Sequence, residues 1–496
     1  MKKFVIVGSG SAGLIAAGMI KKYWEEKVDI TVIHDKSQGS IAVGESTTPL
    51  IHGFLHFFGL SERDLIRDLD VTIKLGINFK NWIPNTEYFH GFTQVIKKER
   101  DNDPSSVYSI LNDVYDGGSL YNKPLNEVPK NIFDNYAYSL HIDTKQFTDY
   151  IYEKLNGSVK FVDDVVTRVR VNTECTKIES IECKYNGIFD ADYFIDASGF
   201  NTILFKHLNP KWNDMSKYLP IDRAIPQQVP YDFKDELPSY TLAEATDNGW
   251  IWRIPIGDRY GTGYLYSSKF TSDEEAREKY NDWLVENFDT ELTSDRIIRY
   301  RPGYYEDYWI GNCLAVGLSS GFVEPLESTG LHIVITQVLN FIRYNSSLKS
   351  LEFDKKSVNK ISRDFYVDTI NFVCLHYNTN RTDSEFWKYI TENKLDWVKD
   401  VEQKCKEDFL DITFFRNNPT HNIWPLESYI SVAQGLNMFS KDGIQNYLNS
   451  KSNGRGMIED GNEILEFAKN KYKNQTHQKN IQEFVSHKQI INSIHK

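Results

Sequence analysis

The chain has 496 residues, 40% hydrophobic and 25% charged, with a formal net charge of −12. That length exceeds one simple core and predicts two or more lobes of ordinary globular composition. The acidic balance excludes a nucleic-acid partner, which needs a concentrated basic surface, and no run of about 18 apolar residues is present to span a membrane.

MKKFVIVGSGSAG has the basic-then-apolar outline of a signal peptide, but its glycines and the lack of a small-residue cleavage site argue against one. The five cysteines (Cys175, Cys183, Cys313, Cys374, Cys405) are scattered, with no CxxC. They read as buried thiols in a reducing, cytoplasmic compartment, with no disulfide framework and no metal site. The stretch from Phe4 to Asp35 reads as strand, glycine turn, helix and second strand. Gly8, Gly10 and Gly13 form GxGxxG directly after the first strand. The first glycine permits the tight turn, the second admits a pyrophosphate, and the third lets the helix pack on the strand. Ser11 and Ala12 open the helix, whose free N–H groups face the phosphates. At the end of the second strand His34 takes the position expected of a ribose-binding acid, and Asp35 follows it as the candidate.

VGESTTP (Val43 to Pro49) is a turn-rich polar loop, and YFIDASGF (Tyr193 to Phe200) is a short strand ending in a small-residue turn. Such returns resemble those of large monooxygenase-like flavoproteins and suggest FAD. Residues from about 205 to 290 read as strand-rich. Within them GWIWRIP (Gly249 to Pro255) alternates, placing Trp250 and Trp252 on one face and Ile251 and Arg253 on the other. Asn312 to Tyr344 repeats the strand, glycine-rich loop and helix pattern. Thr329 and Gly330 fall where that helix begins, so their N–H groups form an anion nest. From spacing alone, Glu327 beside it reads as a dipole partner or cap. Residues beyond about 350 read as helical, and the polar tail from Lys469 as a solvated terminal helix at most.

These stretches resemble the flavin-dependent halogenases of the tryptophan halogenase type. GWIWRIP matches the family's GWxWxIP signature, and FVEPLESTG matches the family's F–P–S–G motif, here FxxPxxSxG, through Phe322, Pro325, Ser328 and Gly330. VGESTTP, IKLGINFKNW, YFHGF, HIDTKQF, DASGF and FVCLHYNTNRTDSEFW match in the same order. The resemblance implies an α/β fold, with a Rossmann-like FAD-binding lobe of the flavin monooxygenase type interleaved with a mainly helical substrate lobe. The FAD lobe is expected at roughly 1–85, 140–205 and 290–345, and the substrate lobe at roughly 86–139, 206–289 and 346–496. FAD is expected to meet Gly8, Gly10, Ser11, Ala12, Gly13, Asp35, Ala42, Gly44, Glu45, Asp196, Gly199, Gly317 and Leu318.

The resemblance further implies that reduced FAD and dioxygen convert halide, held at Thr329 and Gly330, to hypohalous acid. This reaches Lys74 through a tunnel lined by Trp250, Trp252, Pro325 and Ser328. Read without the family, Lys74 is a snorkelling lysine. Read within it, Lys74 is the catalytic lysine and Glu327 the assisting carboxylate. His90, Phe92 and Trp424 match positions that hold the aromatic substrate. The upstream stretch ITFFRNNPTHNIW carries Phe414 and Phe415 where tryptophan-specific relatives carry a tyrosine pair, and no glutamate; Ser428 replaces an asparagine. An indole-type aromatic other than free tryptophan is therefore expected, since an unpaired charge in a closed pocket is costly. No NAD(P)H fingerprint appears, so a separate flavin reductase is expected as partner. Chloride, bromide or iodide serves as halide, and the enzyme is a monomer or homo-oligomer. The rival readings are a flavin monooxygenase of the same fold and a non-catalytic FAD-binding protein.

Overall fold

The computed structural model describes residues 1–37, 44–92, 126–130, 132–135, 138–234, 236–410, 414–415, 423–440, 442–443, 446 and 484–495. The backbone divides into two compact units. Unit 1 comprises Met1–Thr72, Ser139–Gln228 and Asp295–Val367; unit 2 comprises Ile73–Tyr138, Val229–Ser294 and Asp368–Lys496. Residues 73–85 thus fall in unit 2, and residues 206–228 and 346–367 in unit 1, across the expected boundaries. The first shift has a backbone cause: Gly76–Lys80 pairs in parallel with Tyr240–Glu244, a partner remote in sequence.

Unit 1 is built on a sheet of β1 (Lys2–Val7), β2 (Val28–His34), β3 (Lys160–Asp163), β4 (Tyr193–Asp196), β5 (Trp309–Ile310) and β6 (Cys313–Ala315). The strand order is β5-β6-β4-β1-β2-β3. Pairing is parallel except between β5 and β6. Phe4 to Val7 are buried throughout, as expected of a parallel strand covered on both faces. On one face α1 (Ser11–Trp24) and α2 (Gly330–Tyr344) meet the sheet. There Phe4 stacks on Tyr193 at 4.7 Å, and Trp24 meets Phe341 edge-on at 5.9 Å. On the other face Val5, Val7, Ile33 and Phe194 join a cluster with Ile178, Ile181 and Cys183. The register aligns Val7 with Asp196 and Asp196 with Ala315. The turns that leave the carboxyl ends of β1, β4 and β6 therefore emerge side by side, where α/β sheets bind ligands.

In unit 2 five strands run in the order Arg259–Tyr266, Gly249–Ile256, Tyr240–Thr246, Gly76–Lys80 and Glu87–Gly91. GWIWRIP lies wholly on the second. Its alternation is not one of exposure: Trp250, Ile251 and Ile254 are buried and Trp252 and Arg253 half-buried, so both faces are covered. The helices of this unit include Asp273–Phe288, Glu385–Glu392, Asp396–Glu407 and Leu426–Gly435. The described part of the tail, residues 484–495, is not a solvated helix. Phe484–Ser486 pairs antiparallel with Glu127–Pro129, and the helix His487–His495 follows. His487 is fully buried, and Ile491, one turn on, packs against Phe233, Leu237 and Tyr260. Two inward positions four residues apart suffice to dock an otherwise polar helix. Among the described residues no helix is long and apolar enough to cross a membrane.

A side chain at Gly13 would place its Cβ 2.0 Å from the Gly8 carbonyl oxygen, a backbone atom that cannot step aside. Gly13→Ala is expected to lower the urea midpoint by an amount equivalent to about 1–3 kcal/mol. An unchanged midpoint in parallel melts would show that α1 can lift from β1 without cost.

Candidate active site

Three turns of unit 1 form the cofactor candidate. Gly8 leaves β1 with φ +111°, and its N–H donates to the Ile33 carbonyl at 2.9 Å. A Cβ at Gly8 would lie 2.3 Å from the Ala197 oxygen, so the first turn touches the second. A Cβ at Gly317 would lie 3.0 Å from the Ala12 Cβ, so the third turn meets the start of α1. By contrast, a Cβ at Gly10 would meet nothing within 4 Å. Gly10 caps α1 without a side-chain hydrogen bond, and the first helical turn holds no acid. This open, positively polarised helix end fits the pyrophosphate of a dinucleotide.

Asp196, expected at the cofactor, ends β4. It has no exposed surface. Its Oδ1 accepts from Ser198 N (3.0 Å), Ser198 Oγ (2.6 Å) and Ser319 Oγ (3.1 Å), and its Oδ2 from Leu204 N (2.7 Å) and Phe205 N (2.8 Å). It organises the turn from within. Asp35 Oδ1 accepts from both the N–H and the hydroxyl of Ser37, at 2.9 and 2.6 Å, closing a local turn. His34 Nδ1 lies 2.9 Å from Ser9 Oγ inside the glycine turn, and burial lowers its pKa. Gly199 and Gly44 both have positive φ, and Leu318 is half-buried in the third turn. Ala42 lies outside the described residues.

The start of α2 is laced to the VGESTTP loop. Ser328, itself at φ 60°, donates its hydroxyl to Ser46 Oγ at 2.9 Å. Thr48 Oγ1 lies 3.0 Å from His332 Nδ1. Thr329 holds the N-cap position without a side-chain bond, and a Cβ at Gly330 would meet nothing within 4 Å. Glu327 is buried and Pro325 exposed. Burial lowers the His332 pKa to about 4, so this imidazole stays neutral at ordinary pH. Burial raises Glu45 to about 7.

Lys74 belongs to unit 2 and is 0% exposed. Its Nζ lies 5.0 Å from the centroid of the Phe92 ring, within cation–π range. His90 and Ser428, both expected at the substrate, bond to each other (Nε2 to Oγ, 2.9 Å). Trp424 stacks on Phe372 at 4.4 Å and lies 6.3 Å from His90, which meets Phe372 edge-on at 5.5 Å. Phe372 is thus the centre of the aromatic wall, and no role was read for it from sequence, although it opens FVCLHYNTNRTDSEFW. Asp368 was missed as well. Fully buried, it accepts from Tyr429 OH at 2.7 Å and Ile423 N at 3.1 Å, pinning the chain on both sides of Trp424. Phe415 packs on Tyr429 at 4.8 Å and on Phe414 at 5.1 Å. Trp250 and Trp252 have centroids 6.5 Å apart at 67°. Among the described residues no group of three or more His, Cys, Asp or Glu is placed to hold a metal ion.

The family description "Tryptophan halogenase" matches residues 3–447. Tryptophan 7-halogenase RebH of Lentzea aerocolonigenes is 32% identical over 439 residues, 79% of each chain. The crystal structure of tryptophan 6-halogenase SttH of Streptomyces toxytricini superposes with a TM-score of 0.83 at 25% identity, covering 100% of both chains. Xcc4156, a flavin-dependent halogenase from Xanthomonas campestris, superposes with a TM-score of 0.84 at 21% identity over 99% of this chain and 98% of its own, a likeness of fold.

Glu45 makes one property of this site measurable. A carboxyl raised from 4.5 to about 7 keeps its proton in the folded chain after the unfolded chain has released it. Its contribution to stability is therefore full below about pH 4.5 and is lost as pH rises to 7. Glu45→Gln is expected to stabilise the protein at pH 8 by on the order of 1–3 kcal/mol. At pH 4 the two proteins should melt together; an equal gain at both pH values would show a carboxyl with an ordinary pKa.

Proposed function

The chain belongs to the tryptophan halogenase family and is a flavin-dependent halogenase; we propose that it halogenates an electron-rich, indole-type aromatic other than free tryptophan, with Lys74 and Glu327 as catalytic side chains. Reduced FAD, when bound, supplies with dioxygen the oxidising power that turns halide into hypohalous acid. Unit 1 is the proposed FAD-binding unit. Gly8, Gly10, Ser11, Ala12 and Gly13 receive the pyrophosphate, and Gly44, Glu45, Gly199, Gly317 and Leu318 contact the cofactor from the other turns. The open Gly10 position supports this assignment. The N–H groups of Thr329 and Gly330 hold the halide at the amino end of α2. The role of Pro325, Ser328, Trp250 and Trp252 is to line the route of hypohalous acid and keep organic substrate from the flavin.

The observation that carries the reading is Lys74, a lysine side chain without exposed surface whose Nζ is set beside an aromatic ring. Enclosed in this way, it can donate a hydrogen bond to hypohalous acid and increase its electrophilicity, or hold the halogen as a haloamine. In either form one side chain aims the halogen at one carbon. After addition the ring is a strongly acidic cation, and an ionised carboxylate at Glu327 suffices to take its proton. It also stabilises the developing positive charge. His90, Phe92, Trp424 and Ser428 frame the substrate, with Phe372 behind them.

Rejection of free tryptophan is supported by Phe415, whose ring is committed to Tyr429 and offers no hydroxyl to a carboxylate. The chain is proposed to draw reduced FAD from a separate reductase.

Purified protein, FAD, a flavin reductase and NADH would be offered chloride, bromide and iodide with a panel of indoles, phenols and tryptophan. Mass spectrometry is expected to find halogenated indoles, reduced about 10²–10⁴-fold in Lys74→Ala. Tryptophan as preferred substrate would overturn the substrate class, and full activity in Lys74→Ala would overturn the role of that lysine. Without the reductase, NADH consumption is expected to stay at background.

A further inference from the structure

Lys74 ends a strand of three residues, Thr72–Lys74. Both backbone amides that flank it are bound. The Ile73 N–H donates to His487 Nε2 at 2.9 Å, and the Leu75 N–H donates to the Ser239 carbonyl at 2.7 Å. His487 Nδ1 lies 3.1 Å from the Pro238 carbonyl oxygen. Pro238 and Ser239 are neighbours, so the bonds close a loop from Ile73 through His487, Pro238 and Ser239 to Leu75. The roles on the imidazole follow from its partners. A carbonyl only accepts, so Nδ1 carries the proton; Nε2 is then bare and accepts from Ile73. Burial lowers the His487 pKa to about 4 and keeps the ring in this neutral form.

His487 is itself held on several sides. Its own N–H donates to the Asn126 carbonyl at 3.1 Å, and the strand before it pairs with Glu127–Pro129. Ser239 Oγ donates to the Glu127 carbonyl at 3.3 Å, which ties the same strand to the other arm of the loop. Lys488 Nζ lies 3.7 Å from Asp232. A segment more than 400 residues from Lys74 in sequence is thereby fixed to the peptide immediately before it.

We propose that His487 is a positioning residue for Lys74: by fixing the Ile73 amide while Ser239 fixes that of Leu75, it sets where the lysine Nζ points and so how much hypohalous acid ends on the substrate. The proposal rests on the reading of Lys74 as the catalytic lysine. A shift of about 1 Å in a group that aims a reaction can cost on the order of 10²-fold.

The test compares wild type with His487→Leu, His487→Gln and Lys74→Ala. Three quantities are read together: halogenated indole, hypohalous acid captured by a small diffusible scavenger, and oxidation of reduced FAD. The leucine removes both bonds. The glutamine can accept from Ile73 through its oxygen and donate to Pro238 through its nitrogen. His487→Leu is expected to lose about 10–100-fold in product per reduced FAD consumed, with scavenged hypohalous acid rising in its place and flavin oxidation maintained. His487→Gln should recover most of the product. If the leucine variant does not purify, His487→Asn replaces it, because the shorter amide cannot span both partners.

Wild-type product yield in the leucine or asparagine variant would overturn the proposal. So would a glutamine variant as poor as leucine, since ring packing rather than the two bonds would then be at work. Full product in Lys74→Ala would instead remove the reading of Lys74 on which the proposal stands.

Discussion

The turns at the carboxyl ends of the unit 1 strands depend on one buried carboxylate. Asp196 ends the strand beside β1, and five protein donors converge on its two oxygens. A charge in that position is tolerable only when fully hydrogen-bonded, and removal of a partner is costly because the rest of the charge stays buried. The donors come from the turn after β4, from the segment at Leu204 and Phe205, and from Ser319 in the turn after β6. The carboxylate therefore makes these three segments one object. The neighbouring hydroxyl extends it. Ser320 Oγ donates to the Gly317 carbonyl at 2.7 Å and receives Gln337 Nε2 at 2.8 Å, with Tyr366 OH at 2.7 Å as its remaining partner. A serine hydroxyl has one proton and two lone pairs, so the tyrosine must be the donor. Burial holds the Tyr366 pKa above its ordinary value and keeps that proton in place.

Unit 2 uses the same device around aromatic rings. Tyr88 OH bonds His376 at 2.8 Å, Tyr429 OH bonds Asp368 at 2.7 Å, and His90 bonds Ser428 at 2.9 Å. His376 also stacks on Phe79 at 4.4 Å. Polar edges are tied to one another while flat faces pack, which fixes ring orientation more firmly than apolar contact alone.

What sequence could convey about this protein was local. Gly8 and Gly13 announce their turn because close backbone approach restricts the residue there, Gly10 completes the pattern at an open position, and the spacing survives in one dimension. The helix start at Thr329 and Gly330 is legible because a strand, a glycine-rich loop and helical spacing follow one another there. Lys74 is different: the residues around it look like those of any half-buried strand, and only the resemblance to known halogenases marked it. Asp196 was placed at the cofactor through the resemblance carried by DASGF, whereas its donors at 204, 205 and 319 are invisible to a local reading. Phe372, Asp368 and His487 act through partners dozens to hundreds of residues away. The division between Thr72 and Ile73 is equally hidden from a local reading, because the parallel pairing of Gly76–Lys80 with Tyr240–Glu244 joins segments some 160 residues apart.

The chemistry explains why so much of the chain is spent on fixing orientation. Hypohalous acid is small, diffusible and reactive toward many electron-rich groups, so its own reactivity supplies little selectivity. Selectivity must come from holding the halogen donor and the ring in one relative geometry. A lysine on a free strand would sample many directions, since its side chain has four rotatable bonds and large rotamer entropy. Burial of Lys74 removes most of those directions, and bonded amides on either side remove the backbone freedom that would restore them. In the proposed site the aromatic wall, with Asp368 fixing the chain on both sides of Trp424, has the same task for the substrate ring. A regiochemistry set in this way is a property of backbone anchoring as much as of the pocket surface. Substitutions at the anchors should then change where the halogen goes, whereas changes on the pocket walls change which ring is admitted.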